Sequence, residues 1–103
     1  MGAAGEALAA WFLAEHGLAV VDTNLAVGKG EIDILARDGP QRVVVEVRTR
    51  TGGGDPIDAA DDEKRRRVRR LASRIGADRV DFVGIRMAPE ALEVHWVPET
   101  GLT

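Results

Sequence analysis

Two periods of apolar and polar positions alternate along this chain, one near 3.6 residues and one of 2, and their order predicts its elements. Over residues 2–16, Leu8, Trp11, Phe12 and Glu15 follow helical spacing and alanine fills most other places, which predicts a helix ended by Gly17. The apolar run 18–21 predicts a first strand that ends near Asp22, Thr23 and Asn24. Gly28-Lys29-Gly30 marks residues 25–30 as a loop or hairpin turn. Residues 31–36 alternate as a second strand, with Ile32 and Ile34 on one face and Glu31, Asp33 and Leu35 on the other. Asp38-Gly39-Pro40 is a turn, and residues 42–49 form a third strand, with Val43, Val45 and Val47 opposite Val44, Glu46, Arg48 and Arg50.

The glycine run before Pro56 predicts a mobile loop over residues 51–56, beside the third strand's end. Val68, Leu71, Ala72 and Ile75 then predict a second helix over about 61–75, closed by Gly76. Two further strands, 79–87 and 92–97, flank an Ala88-Pro89-Glu90 turn. The order α-β-β-β-α-β-β predicts an α/β fold, a mixed central sheet flanked by helices.

Composition narrows the function. At 103 residues the expectation is a single domain over 1–103. Aromatic residues are 4% of the chain, so the core must be aliphatic. The net charge of −3 means that any attraction for a polyanion must come from a local patch. There are no cysteines, which excludes disulfides, thiolate metal sites and thiol nucleophiles. No signal peptide or membrane-spanning run is seen, so a soluble cytoplasmic protein is expected, with no membrane partner. Of the 14 basic residues only Lys29 and Lys64 are lysines, a bias toward arginine that bears on position 48.

Glu46 within a valine-rich strand needs a reason, because burying a carboxylate unpaired is costly. If the second and third strands form a hairpin, Asp33 and Glu46 face the same side. Two adjacent carboxylates repel unless a proton or cation lies between them. A hard cation, Mg²⁺ or Mn²⁺, would accept both and keep several waters, where a phosphodiester could bind. The competing account is a solvated sheet face on which Glu46 pairs with Arg48 or Arg50, a common arrangement.

Gly30-Glu31-Ile32-Asp33-Ile34 and Val45-Glu46-Val47-Arg48-Thr49-Arg50 resemble the G-E-I-D-L and V-E-V-K-x-R signatures of the endonuclease-like YraN family. That family belongs to the PD-(D/E)XK nuclease superfamily, which also holds the archaeal Holliday-junction resolvases. The likeness extends to Gly5-Glu6-Ala7 in the first helix, to Lys64 and to Arg79-Val80-Asp81. It implies a restriction-endonuclease-like α-β-β-β-α-β core, Asp33 and Glu46 as metal ligands, and Glu6 as a further acidic member. The implied activity is metal-dependent hydrolysis of DNA phosphodiester bonds, in branched or damaged DNA. It also implies a basic catalytic residue at position 48. Here that residue is Arg48, which cannot serve as a general base but can clamp a phosphate and offset developing charge. A catalytically inactive DNA- or protein-binding module on the same scaffold is the alternative. Related resolvases act as dimers, and a homodimer through the Leu92, Val94 and Trp96 face is a further expectation.

Lys64, Arg65, Arg66, Arg67, Arg69, Arg70 and Arg74 concentrate positive charge on the second helix. One account is a solvated face neutralised by pairs such as Asp62–Arg66 and Glu63–Arg67. The other is a phosphate-contacting ridge of Arg66, Arg70 and Arg74, with Lys64 and Arg50 nearer the acidic pair. Trp11 and Phe12 are expected to pack the first helix on the sheet. His16 and His95 have no partners at metal-ligand spacing, and no phosphate-loop motif is present.

Overall fold

Tight two-residue turns organise the sheet of this computed structural model, which describes residues 2–51 and 62–99. Strand β1 (Ala19–Val27) turns through Gly28 and Lys29 into β2 (Gly30–Asp38). Gly39 and Pro40 lead from β2 into β3 (Gln41–Thr51). Gly28 and Gly39 have φ of 58° and 60° and each is the first central residue of its turn, the place where a II′ hairpin needs glycine. Helix α1 (Gly2–Glu15) precedes β1. Helix α2 (Asp62–Arg74) connects β3 to a parallel neighbour, β4 (Arg79–Ala88), and β5 (Ala91–Glu99) returns antiparallel. The sheet order is β1-β2-β3-β4-β5, so β1 and β5 are its edges.

Both helices end alike. Gly17 (φ 95°) follows α1, with the Leu18 N–H donating to the Leu13 carbonyl (3.0 Å) and the Gly17 N–H to that of Ala14 (3.2 Å). After α2, Gly76 (φ 67°) takes the same place, and the Ala77 N–H donates to the Ala72 carbonyl at 3.0 Å. These are Schellman closures, which only an αL residue permits without strain.

The helices cover opposite faces. Ala9 and Leu13 of α1 pack on Ile34, Ala36, Val43, Val45, Val83 and Ile85. Val68, Leu71 and Ala72 of α2 pack on Ile32, Val44, Val80 and Phe82. This mixed sheet between helices, entered in the order α-β-β-β-α-β, is the restriction-endonuclease-like arrangement.

Four expectations change. Residues 25–27 are not a loop: they extend β1, pairing Leu25 with Ile32 and Val27 with Gly30. Ile32 and Ile34 do not share a face, since Ile34 joins the core under α1 and Ile32 the core under α2. Asn24, with φ 53°, stands where β1 passes Asp33 and is skipped by the pairing, and the hairpin turns over across that point. Trp11 is 61% exposed, and α1 is buried instead along Gly5, Ala9 and Leu13. Finally, Val94 and Trp96 pack against the α1-side core, so of the Leu92, Val94 and Trp96 face only Leu92 stays exposed. The predicted loop 51–56 lies, apart from the backbone of Thr51, outside the described residues.

Candidate active site

The β2–β3 ladder begins beside its turn at Asp38–Gln41 and stops at Ile34–Val45. One residue further along each strand stand Asp33 and Glu46. In place of the next backbone bond, the Val47 N–H donates to Asp33 Oδ2 at 2.9 Å. A side chain thus satisfies a donor that the parted strands would leave unpaired. β3 meanwhile keeps its register with β4, Glu46 lying beside Phe82.

Alternation along β3 sends Val45 under α1 and Glu46 toward α2, where the residue is only 5% exposed. Lys64, in the first turns of α2, donates to Glu46 Oε2 at 2.9 Å. The solvated-face account of Glu46 therefore fails: it is buried, and its partner is the helix lysine. Asp33 and Glu46 line the same cleft. Burial first, then Asp33, pushes the Glu46 carboxyl up to about 7, while Lys64 holds it down. Glu6 reaches Asp33 from α1, its carboxyl raised by burial and by the Asp33 charge and lowered by a hydrogen bond from Asn24. Glu6 does not complete a cage, because among the described residues no three acidic or imidazole side chains are grouped to hold a metal.

Asp33 and Glu46 line an open cleft of about 290 Å³, with Lys29, Gly30, Glu31, Lys64, Arg67, Val68 and Leu71. At about 30 Å³ per water in the liquid, that space suits a hydrated cation and a phosphate group. The donor set fits such a cation: two carboxylates at one cleft, with the Glu46 carboxyl raised chiefly by burial although Lys64 lies 2.9 Å from it. Lys64 lines this cleft and also the next one, formed with Val47, Arg48, Thr49 and Arg50. Arg48 is thus on the face of Glu46 but in the adjoining cleft.

Along α2 the basic residues divide by direction. Lys64 and Arg67 line the acidic cleft, while Arg67, Arg70 and Arg74 line its continuation. Arg66 lines neither, so Arg66, Arg70 and Arg74 do not share one cleft wall, whereas Arg67, Arg70 and Arg74 do. The Arg65 guanidinium lies over the Phe82 ring, 4.7 Å from its centroid, and fastens α2 to β4. No ion pair joins Glu63 to Arg67 among the described residues, and the Asp62 side chain lies outside them. Sequence reasoning missed Glu31, Lys29 and Arg67. The alternation that places Glu31 beside Asp33 signals the first, but nothing in the sequence signals that the hairpin tip meets α2.

The profile of the Uncharacterised protein family UPF0102 matches residues 5–85. A UPF0102 protein of Leifsonia xyli subsp. xyli is 40% identical over 95% of this chain and 92% of its own length. One of Streptomyces coelicolor is 44% identical over 82% of this chain and 75% of its own length. Among solved structures, Hjc of Archaeoglobus fulgidus, a Holliday junction resolvase, superposes with a TM-score of 0.56 at 20% identity. The superposition covers 90% of this chain and 72% of that one, and it shows a shared fold. By profile, identity and coverage together, this chain belongs to the UPF0102 family.

Proposed function

We propose that this protein is a divalent-metal-dependent endonuclease acting on DNA phosphodiester bonds, with branched DNA as its substrate class. The observation that carries this reading is the placing of Asp33 and the buried Glu46 at one cleft open to water, where the β2–β3 ladder stops. A purely structural strand carboxylate would be expected on a solvated face; here Glu46 is buried, with Lys64 against it.

Asp33 and Glu46 would hold Mg²⁺ or Mn²⁺, with Glu6 supporting Asp33 from α1. When bound, such an ion neutralises charge at the phosphodiester and makes its waters more acidic. Hydrolysis adds water across a P–O bond, hydroxyl to phosphorus and proton to the departing oxygen. Lys64 is the group here that can carry that proton, its ammonium standing at both clefts. Arg48 keeps its proton and acts as a clamp, binding a phosphate oxygen beside Arg50 and offsetting charge that develops in the transition state.

A Mn²⁺ titration followed by thermal unfolding tests the ligand assignment. At metal about tenfold above Kd, Tm of the wild type should rise by roughly 5–10 °C. Asp33→Asn and Glu46→Gln should abolish the rise. Equal rises in all three would remove the pair from the site and favour a binding module that kept the scaffold. The arginine at position 48 is the observation on that second reading's side.

A further inference from the structure

The acidic cleft has an extension that the chemistry above does not use. Lys29, Gly30, Arg67, Arg70, Leu71 and Arg74 line a second opening of about 360 Å³. It shares Lys29, Gly30, Arg67 and Leu71 with the first, so the two form one groove. Two glycines build it. A Cβ on Gly30 would lie 2.8 Å from Leu71 Cδ1, and one on Gly28 would lie 2.4 Å from Arg74 Nη1. Because both lack side chains, the β1–β2 tip settles onto α2. Lys29 is then held on one wall, with Arg67, Arg70 and Arg74 on the other.

Among the described residues, no ion pair or hydrogen bond reaches any of these four cations. Arg65 and Lys64, by contrast, are spent on Phe82 and Glu46. Four cations gathered at one groove on a chain of net charge −3 repel each other, and a polyanion would relieve that repulsion. The acidic pair at one end and cations alone at the other give the groove a direction.

We infer that this extension is a phosphate track. It holds two or three non-scissile phosphodiesters of the nucleic-acid strand whose scissile phosphate would lie at Asp33 and Glu46. The inference rests on the proposed nuclease reading for what lies at the acidic end, but not for the track itself. The track needs no metal, and the shared chemistry is the phosphodiester backbone, from DNA or RNA.

Binding of fluorescein-labelled 20-nucleotide single-stranded DNA, the same RNA sequence, and a 20-base-pair duplex would be measured in EDTA over a salt series. Asp33→Asn is the background, so cleavage plays no part. Lys29→Ala and the pair Arg70→Ala with Arg74→Ala should weaken binding, the pair by roughly tenfold at moderate salt, and flatten the log-log salt slope by about 0.7 per lost single-strand contact. Arg66→Ala, on the same helix but outside the groove, should leave the slope unchanged. Which of the three ligands shows the effect identifies the source of the backbone. Equal weakening by Arg66→Ala would overturn the track in favour of diffuse attraction, as would unchanged binding in the groove variants or no binding to any ligand. A metal-dependent nuclease with unaltered slopes would sink the track alone. Altered slopes in a protein that never cuts would sink the nuclease reading alone.

Discussion

Asp33 has two tasks that substitution can separate. Its Oδ2 accepts the Val47 N–H at 2.9 Å, and its charge faces Glu46. Asparagine keeps the acceptor and removes the charge, whereas alanine leaves a part-buried donor unpaired at about 1–3 kcal/mol. Urea unfolding should therefore find Asp33→Asn as stable as wild type or more so, and Asp33→Ala less stable by that amount. Glu46 carries a pH signature of its own. Its folded-state value of about 7 lies above its ordinary 4.5, so between these the native state binds more protons than the unfolded chain. Stability of the metal-free protein should then fall as pH rises through that window, by on the order of 3 kcal/mol from this group. Glu46→Gln should flatten that part of the profile. An unchanged slope in the variant would mean that burial and Asp33 do not hold the proton there.

At the scale of elements, glycine contacts set how closely each helix approaches the sheet. A Cβ at Gly5 would come 2.3 Å from Thr49 Oγ1, the point where α1 crosses β3. Gly5→Ala should cost about 1–3 kcal/mol, and Thr49→Ala in the same chain should recover most of it. A sum of independent losses would contradict direct contact. The buried Asp81 ties β4 to its neighbours: Arg79 donates to both its oxygens at 2.8 and 3.0 Å, and the Trp96 indole donates at 2.9 Å. Arg79 also reaches Asp38 at the end of β2. Arg79→Ala would take from the buried Asp81 its guanidinium partner, a loss of about 3–5 kcal/mol, with a change in Trp96 fluorescence as the marker.

These elements also show what the sequence carried. The turns at Gly39-Pro40 and Pro89-Glu90, the α2 stripe of Val68, Leu71 and Ala72, and the alternation of β3 follow from local chemistry, and each lies where its pattern implied. The Gly28-Lys29 turn was marked by its glycines, but the exchange of faces between Ile32 and Ile34 was not, since it falls across the left-handed Asn24 and not at a turn. The burial of α1 along Gly5, Ala9 and Leu13 was also hidden, since small residues weigh little in apolar periodicity although they permit the closest packing.

For the whole molecule, the placing of Asp33 and Glu46 at one cleft was legible from alternation and hairpin geometry. The partnership of Glu46 with Lys64, and of Lys29 with α2, was not. Both join residues brought together only when α2 packs back across the sheet to reach β4 in parallel. That crossover sets a basic groove against an acidic pair in a chain of net negative charge. No described helix is long and apolar enough to cross a membrane. A homodimer would supply two such grooves to a branched substrate of two-fold symmetry; sedimentation with and without four-way-junction DNA would register it as a doubling of mass.

The most direct measurement is cleavage of labelled linear, gapped, flapped and four-way-junction DNA with Mn²⁺ or Mg²⁺, beside Asp33→Asn and Glu46→Gln. The account predicts cutting that requires the metal, is strongest on a branched substrate and falls at least a hundredfold in both variants. No cutting of any substrate at any metal concentration, or equal cutting by the variants, would contradict it.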